Sequence, residues 1–340
     1  GKTTTSSMIA HIFKSSGYDC TAFLGGITAN YRTNFLAGKN NIVVVEADEF
    51  DRSFLKLHPN IAVITSCDPD HLDIYGTKEE VQQSYQQFAK KIKNHGTLFT
   101  KRNLSFLSRS DENVSTVYYG LEESKGDIHA VNARLENGTY AFDFVSKTAR
   151  INNIHLSIAG RHHAENAIAA AAVASLFEID RDEIRSALHS FKGVQRRFQF
   201  IVRNKMVVYI DDYAHHPAEI TAFLQSVREI FPGKKITCIF QPHLFTRTRD
   251  FAEGFGQSLS LADEVMLLPV YPARELPIEG VNSEMLIDKI TSVEKCVVEK
   301  NDLLQQLSKS KLEVLVTVGA GDIDQFVEPI AKMLKEKEMV

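Results

Sequence analysis

Short apolar runs rich in Val and Ile alternate along the chain with stretches whose apolar residues recur every three or four positions. That alternation is expected of parallel strands covered by helices. Residues 41–45 (NIVVV) and 61–65 (IAVIT) read as buried strands, and each runs into acidic residues. Ahead of them Met8, Ile9, Ile12 and Phe13 recur at helical spacing, and Gly17 suits the end of that helix. Residues 97–155 carry several turn signals and read as a smaller mixed sheet or insertion. Helical character returns at 164–177 (AENAIAAAAVASLF). Residues 191–200 (FKGVQRRFQF) look like a junction. Beyond it, strand candidates fall at 207–211, 235–240, 264–270, 295–298 and 312–318, with helical stretches between them and Pro217 at a first helical position. The expectation is an α/β fold in two domains, 1–195 and 196–340. A length of 340 residues also favours two domains.

Composition narrows the class without naming it. Hydrophobic residues make up 44% and charged residues 24%, which is ordinary for a globular chain. A net charge of −4 gives no reason to expect nucleic acid or an anionic membrane as partner. Cys20, Cys67, Cys238 and Cys296 lie far apart with no C-x-x-C, so neither a disulfide framework nor a zinc site is indicated, and a reducing, cytoplasmic setting fits. No apolar run reaches the 18 or so residues of a membrane span.

The chemistry sits where the strands end. In open α/β sheets ligands lie beyond the carboxyl ends of strands. GKTTT (1–5) is the second half of a phosphate-binding loop, G-x-x-x-x-G-K-[ST], whose backbone N–H groups and Lys take phosphates. It is either that or an accident of composition. EADEFD (46–51) follows one strand, and a carboxylate there suits a metal held beside phosphates. SCDPDHLDIYG (66–76), with Asp68, Asp70, His71 and Asp73, follows the next. A solvated acidic loop is the plainer reading of either cluster alone. In the second domain, DDYAHHP (211–217) and FQPHLFTRTRD (240–250) bring acids, histidines and arginines to two strand ends. Arg247 and Arg249 could grip a carboxylate or phosphate bidentately. Arg196 and Arg197 sit at the junction, and VGAGD (318–322) closes the last strand as a phosphate-facing loop or an ordinary turn.

Taken together, GKTTT, VVEADEFDRSF, ITSCDPDHLDIYG, GRHHAENAIAA, FKGVQRRFQ, DDYAHHPAEI, FQPHLFTRTRDF, LLPVYPARELPIEGV and VTVGAGDI resemble, in order and nearly end to end, the Mur ligase family of peptidoglycan synthesis. The resemblance implies a central P-loop ATPase domain with a mostly parallel sheet, followed by a C-terminal Rossmann-like domain that binds the amino acid and part of the nucleotide. It also implies an N-terminal UDP-binding domain and the front of the phosphate loop, both expected to lie outside this sequence.

The implied activity is ATP- and Mg²⁺-dependent amide formation in the cytoplasm, with UDP-N-acetylmuramate and L-alanine as substrates. Gly1, Lys2, Thr3 and Thr4 would hold the nucleotide phosphates. Thr3, Glu46 and His71 would hold magnesium, Asn166 the adenine, and Asp211 or Asp212 the ribose or phosphates. Arg197, with Arg196, would meet the γ-phosphate or sugar nucleotide. Tyr213, His215, Arg247 and Arg249 would line the amino-acid pocket. Lys2, His71, His215 and Arg247 would be the catalytic groups, with His215 the candidate base. His163 stands where the family usually has Asn. Gln87 and Phe88 lie near the place where sister ligases carry a modified lysine, so no such modification is expected. Rival readings are a murein-tripeptide recycling ligase, a folate-type polyglutamylating ligase, or a regulatory P-loop ATPase that turns over ATP without an amino acid.

Overall fold

The computed structural model describes residues 1–68, 72–107, 113–122, 126–292 and 294–338, and the chain divides into two compact units, Gly1–Gln195 and Arg196–Val340. In the first unit the strands are β1 (Thr21–Phe23), β2 (Phe35–Leu36), β3 (Val43–Val45), β4 (Ile61–Ile64), β5 (Thr97–Thr100), β6 (Ser115–Gly120), β7 (Ile128–Glu136), β8 (Thr139–Val145) and β9 (Arg150–His155). Its helices are α1 (Lys2–Ser15), α2 (Leu72–Tyr75), α3 (Lys78–Lys90), α4 (Arg161–Leu176) and α5 (Arg181–Ser190).

Helix α1 is buried from Thr3 to Phe13, so it behaves as a core helix rather than a surface one. It packs on α4, where Ala164, Ala167 and Ala169 through Ala171 have no exposed surface. Small side chains let the two helix backbones approach. Its end is a Schellman turn: Tyr18 N–H donates to Phe13 O (2.9 Å), Gly17 N–H to Lys14 O (3.3 Å), and Gly17 takes φ +79°. The accompanying apolar contact is present, with the Phe13 and Tyr18 rings 5.7 Å apart.

Two sheets form in this unit. One has the order β2-β1-β3, with β1 and β3 parallel; the other runs β4-β5-β6-β7-β8-β9, parallel through β7 and then antiparallel. The antiparallel end accounts for the turn-rich stretch read in 97–155. β3 and β4 each end their sheet, and a cleft of about 690 Å³ lined by Val43, Val45, Ile61, Val63, Lys2 and Glu46 lies against them.

The second unit adds β10 (Gln199–Arg203), β11 (Val208–Asp212), β12 (Ile236–Phe240), β13 (Glu264–Leu267), β14 (Glu294–Val297) and β15 (Val314–Val318). Its helices are α6 (Pro217–Ile230), α7 (Phe245–Asp250), α8 (Ala252–Leu259), α9 (Ser283–Ile287), α10 (Leu303–Lys309) and α11 (Val327–Glu338). The sheet order is β10-β11-β15-β12-β13-β14, and all pairs are parallel except β10 with β11. β12 and β15 are buried at every position, as continuous apolar runs require in a sheet covered on both faces. Pro217 opens α6, with the His216 ring accepting from Ala218 N–H (3.3 Å) as the cap.

One buried polar network ties the start of this unit to its central strands. Arg196, held at φ +59°, donates through Nε to Asp211 Oδ2 (3.1 Å) and through Nη2 to Gly319 O (2.7 Å). The other Asp211 oxygen accepts from Thr317 Oγ1 (2.7 Å), and Thr317 also meets Tyr209 Oη (3.0 Å). Gly319 is required where it stands: its φ is +147°, and a Cβ would lie 2.9 Å from the Gln241 carbonyl oxygen. Burial pushes the Asp211 carboxyl up from its usual pKa, against the opposing pull of Arg196 and Thr317.

Removing one partner of such a network strands the others in a dry environment. Asp211→Ala is expected to cost about 3–5 kcal/mol in urea unfolding. Thr317→Val, which removes one donor, should cost about 1 kcal/mol. Equal small losses for both would show that the network is not buried as described.

Candidate active site

In the first unit the strand ends converge on the start of α1. β1 and β3 pair in parallel with Phe23 opposite Val45, and Glu46 N–H donates to Phe23 O (2.9 Å), so the residues following each strand lie side by side. Glu46 uses both carboxylate oxygens there. Oε1 accepts from Thr3 Oγ1 (2.8 Å) and Oε2 from Gly25 N–H (2.5 Å). Lys2 Nζ is paired with Glu49 Oε1 (2.5 Å). The second oxygen of Glu49 is buried with no hydrogen-bond partner among the described residues. Asn166 of α4 presents its side-chain oxygen to Gly1, within 2.7 Å of where a Cβ would stand. A lysine, a hydroxyl, two carboxylates and an amide thus surround the amino end of one helix. Such an end attracts anions.

Both Thr3 and Thr4 are buried at the start of α1, and Thr3 is the one whose hydroxyl donates to Glu46. Asp48 makes a turn, accepting from Phe50 N–H (3.1 Å), and Asp68 pairs with its neighbour Ser66. The solvated-loop reading suits both. His71 and Asp70 lie outside the described residues. His163 points its Nδ1 at Ala159 O (2.6 Å) inside the core, which makes it a packing residue.

In the second unit the polar groups gather beyond β11, β12 and β13. Asp212 is buried, with Oδ2 accepting from Phe198 N–H (2.7 Å) and Oδ1 from Ala214 N–H (2.8 Å). Tyr213 lies under two guanidiniums, Arg196 at 5.2 Å and Arg197 at 5.0 Å from the ring centre. His215 sets Nδ1 3.0 Å from Tyr213 O and 3.5 Å from Glu219 Oε2. Arg247 is only 6% exposed and reaches His243 Nδ1 with Nη1 (3.2 Å). His243 stacks on Tyr271 at 5.6 Å and lies 6.2 Å from the ring of His215. Glu275 accepts from Thr246 N–H (3.0 Å) and Thr246 Oγ1 (2.5 Å), which clamps the loop after β13 to the start of α7. Burial, then the charges of Arg247, His215 and Arg274, bring the His243 pKa down to about 4, with Glu275 opposing.

Two expectations need correction. Asp211 does not offer itself to a ligand: it is 1% exposed and both its oxygens are taken, whereas the Arg196 side chain keeps 20% of its surface exposed. Arg249 does not share a pocket with Arg247. TRTRD forms a helix rather than an extended strand end, and two residues along a helix turn about 200°, so Arg249 faces out and pairs with Asp250 (2.7 Å). Sequence reading also missed His243, Tyr271 and Glu275. The adjacent FQPH and LLPVYPARE segments stood out as motifs, yet nothing in their spacing shows that they meet.

Asp212 supplies a test. Burial raises its pKa from 3.8 to about 6, against the pull of Arg197 and the N–H groups of Phe198 and Ala214. The folded state therefore takes up the proton before the unfolded state does as pH falls. Stability linked to this group is greatest in acid and lost as pH rises through about 6. Relative to Asp212→Asn, the wild type should lose roughly 2–3 kcal/mol between about pH 4 and about pH 7 in urea unfolding. A constant difference would contradict the assignment.

Comparison with known proteins follows the same division. Residues 1–174 match the Mur ligase middle domain, and residues 196–322 match the Mur ligase glutamate ligase domain. A UDP-N-acetylmuramate–L-alanine ligase from Flavobacterium johnsoniae is 47% identical over 99% of this chain and 73% of its own length. The solved UDP-N-acetylmuramate-alanine ligase of Thermotoga maritima superposes with a TM-score of 0.80 at 29% identity, covering 99% of this chain and 74% of that one. A murein peptide ligase from Psychrobacter arcticus shares the fold at 20% identity, with a TM-score of 0.69 over 98% of this chain and 75% of that one.

Proposed function

The chain belongs to the Mur ligase family, and on that premise we propose that it is the ATP-dependent ligase that joins L-alanine to the carboxylate of UDP-N-acetylmuramate in peptidoglycan precursor synthesis. The observation that carries the reading is the group at the start of α1, where Lys2, Thr3 and Glu46 converge on one anion-attracting helix end. The similarity to alanine-adding ligases over 99% of the chain supplies the substrate class.

The reaction proceeds in two balanced steps. The muramoyl carboxylate oxygen attacks the γ-phosphorus of ATP, the bond to the β-phosphate oxygen breaks, and an acyl phosphate and ADP result. The neutral alanine amine then attacks the acyl carbon, the C–O bond to phosphate breaks, and the nitrogen's surplus proton leaves with the phosphate as hydrogen phosphate. The first step sets one anion against another, so charge neutralisation and positioning must supply most of the rate.

Lys2 exchanges Glu49 for phosphate oxygens, and Gly1, Thr3 and Thr4 contribute N–H groups of the loop. The orphaned buried oxygen of Glu49 and the all-oxygen pair of Thr3 and Glu46 suit a hard divalent cation. Magnesium bound by Thr3 and Glu46, with His71 the proposed ligand of a second ion, would supply charge neutralisation. Asn166 faces the adenine, Arg197 the γ-phosphate or sugar nucleotide, and Asp212 shapes the loop that carries Tyr213 and His215. Tyr213, His215 and Arg247 form the amino-acid pocket. No helix among the described residues is long and apolar enough to cross a membrane. Free thiols and nucleotide substrates suit a cytoplasmic site of action.

The test is ADP release by the full-length protein with UDP-N-acetylmuramate and Mg²⁺. L-Alanine should drive turnover and a murein tripeptide should not. Preference for the tripeptide would point to the recycling ligase, and turnover with no amino acid to a regulatory ATPase. Lys2→Ala should keep its thermal unfolding midpoint and lose at least about 100-fold in turnover.

A further inference from the structure

His215 and His243 stand 6.2 Å apart between ring centres, and their hydrogen-bond partners make them chemically opposite. A guanidinium has donors only. The 3.2 Å contact from Arg247 Nη1 therefore makes His243 Nδ1 an acceptor. In a neutral ring the other nitrogen carries the proton, so His243 presents Nε2–H. The partner of His215 Nδ1 is a carbonyl oxygen, Tyr213 O at 3.0 Å, which can only accept. Nδ1 of His215 is then the donor, with the Glu219 carboxylate 3.5 Å away to hold that orientation, and a neutral His215 carries its lone pair on Nε2.

We propose that Arg247 locks His243 in the Nε2–H tautomer, so that His243 and His215 read the two ends of the amino-acid substrate with opposite polarity. This deepens the ligase reading and rests on it. His243 and Arg247 both donate to the substrate carboxylate, one as a neutral N–H and one as a cation. His215 Nε2 takes a proton from the substrate ammonium: the N–H bond breaks, its electron pair stays on nitrogen as the nucleophile, and the imidazolium so formed lies beside Glu219.

The arrangement excludes His243 as the base, because its bare nitrogen is already engaged by Arg247. It also explains why the ring must stay neutral. The titratable and charged groups facing His243 are Arg247 on its own segment, His215 after β11, and Arg274 and Glu275 after β13, and the two fixed cations, Arg247 and Arg274, outweigh the one acid. A protonated Nδ1 would put a donor against the guanidinium. His243 is a positioning and specificity residue here. The family motifs, read as sequence, pointed to Arg247 and His215 and left it out.

Two measurements test the proposal in the full-length protein. Long-range proton–nitrogen NMR spectra of histidine-labelled wild type should show His243 protonated at Nε2 alone near neutral pH, with the resonance assigned by its loss in His243→Gln. Arg247→Met should relax that preference. In steady-state assays His243→Asn, whose amide cannot place a donor at the Nε2 position, should raise KM for L-alanine about tenfold or more with a smaller change in kcat. His243→Gln restores a donor there and should recover at least about threefold of that loss.

A His243 ring protonated at Nδ1 near neutral pH overturns the proposal, as does an unchanged KM for L-alanine in His243→Asn. Failure of wild type to use L-alanine would instead sink the ligase reading, while the spectrum decides the tautomer independently.

Discussion

The two hydrogen bonds that Glu46 accepts, from Thr3 and from Gly25, hold the start of α1 against the ends of two strands, and the first unit is arranged around keeping them there. A helix amino end is useful to an anion only if it cannot drift. Parallel pairing of β1 with β3 sets Gly25 beside Glu46. The alanine face of α4 lets α1 sink until Asn166 touches Gly1, and the Schellman turn at Gly17 closes the far end. Each contact is modest by itself, about 1 kcal/mol for a typical hydrogen bond. Their joint effect is to fix a lysine and a hydroxyl on one helix end, and fixed charge is what phosphoryl chemistry needs.

The second unit solves a different problem with similar means. It must hold polar side chains at the ends of strands whose bodies are wholly apolar. Asp211 and Arg196 do this from below, as an internal network that uses both Asp211 oxygens. Asp212 does it by accepting two loop N–H groups, which shapes the turn from which Tyr213 and His215 project. Burial of these carboxylates has a cost that shows in their raised pKa values, and the return is a loop with little freedom. Arg247 extends the pattern, being nearly buried and pointed at an imidazole whose tautomer it dictates.

Neighbouring residues of one motif can therefore have unlike roles. In DDYAHHP the first Asp is a structural anchor, the second shapes the loop, the first His sets Nδ1 beside the Tyr213 carbonyl and Glu219, and the second caps α6 and packs on Phe251. In TRTRD one Arg is buried and the next exposed. Motif membership marks a place on the sheet edge, and helical or strand geometry then assigns each side chain to a face.

Much was legible from the order of residues alone. Apolar periodicity set out strands and helices, because burying apolar surface demands the same local pattern wherever the chain goes. The polar clusters after strands marked both candidate site regions, because parallel sheets leave their carboxyl ends open. The motif order identified the family and its reaction. Tertiary structure alone decided which carboxylates have both oxygens taken, which arginine is buried, and that His243 meets Arg247. Those outcomes depend on contacts between segments distant along the chain: Arg196 with Gly319, Asp211 with Thr317, and Thr246 with Glu275. Availability and tautomer are properties of a side chain's partners, and a residue's partners are not written beside it in the sequence.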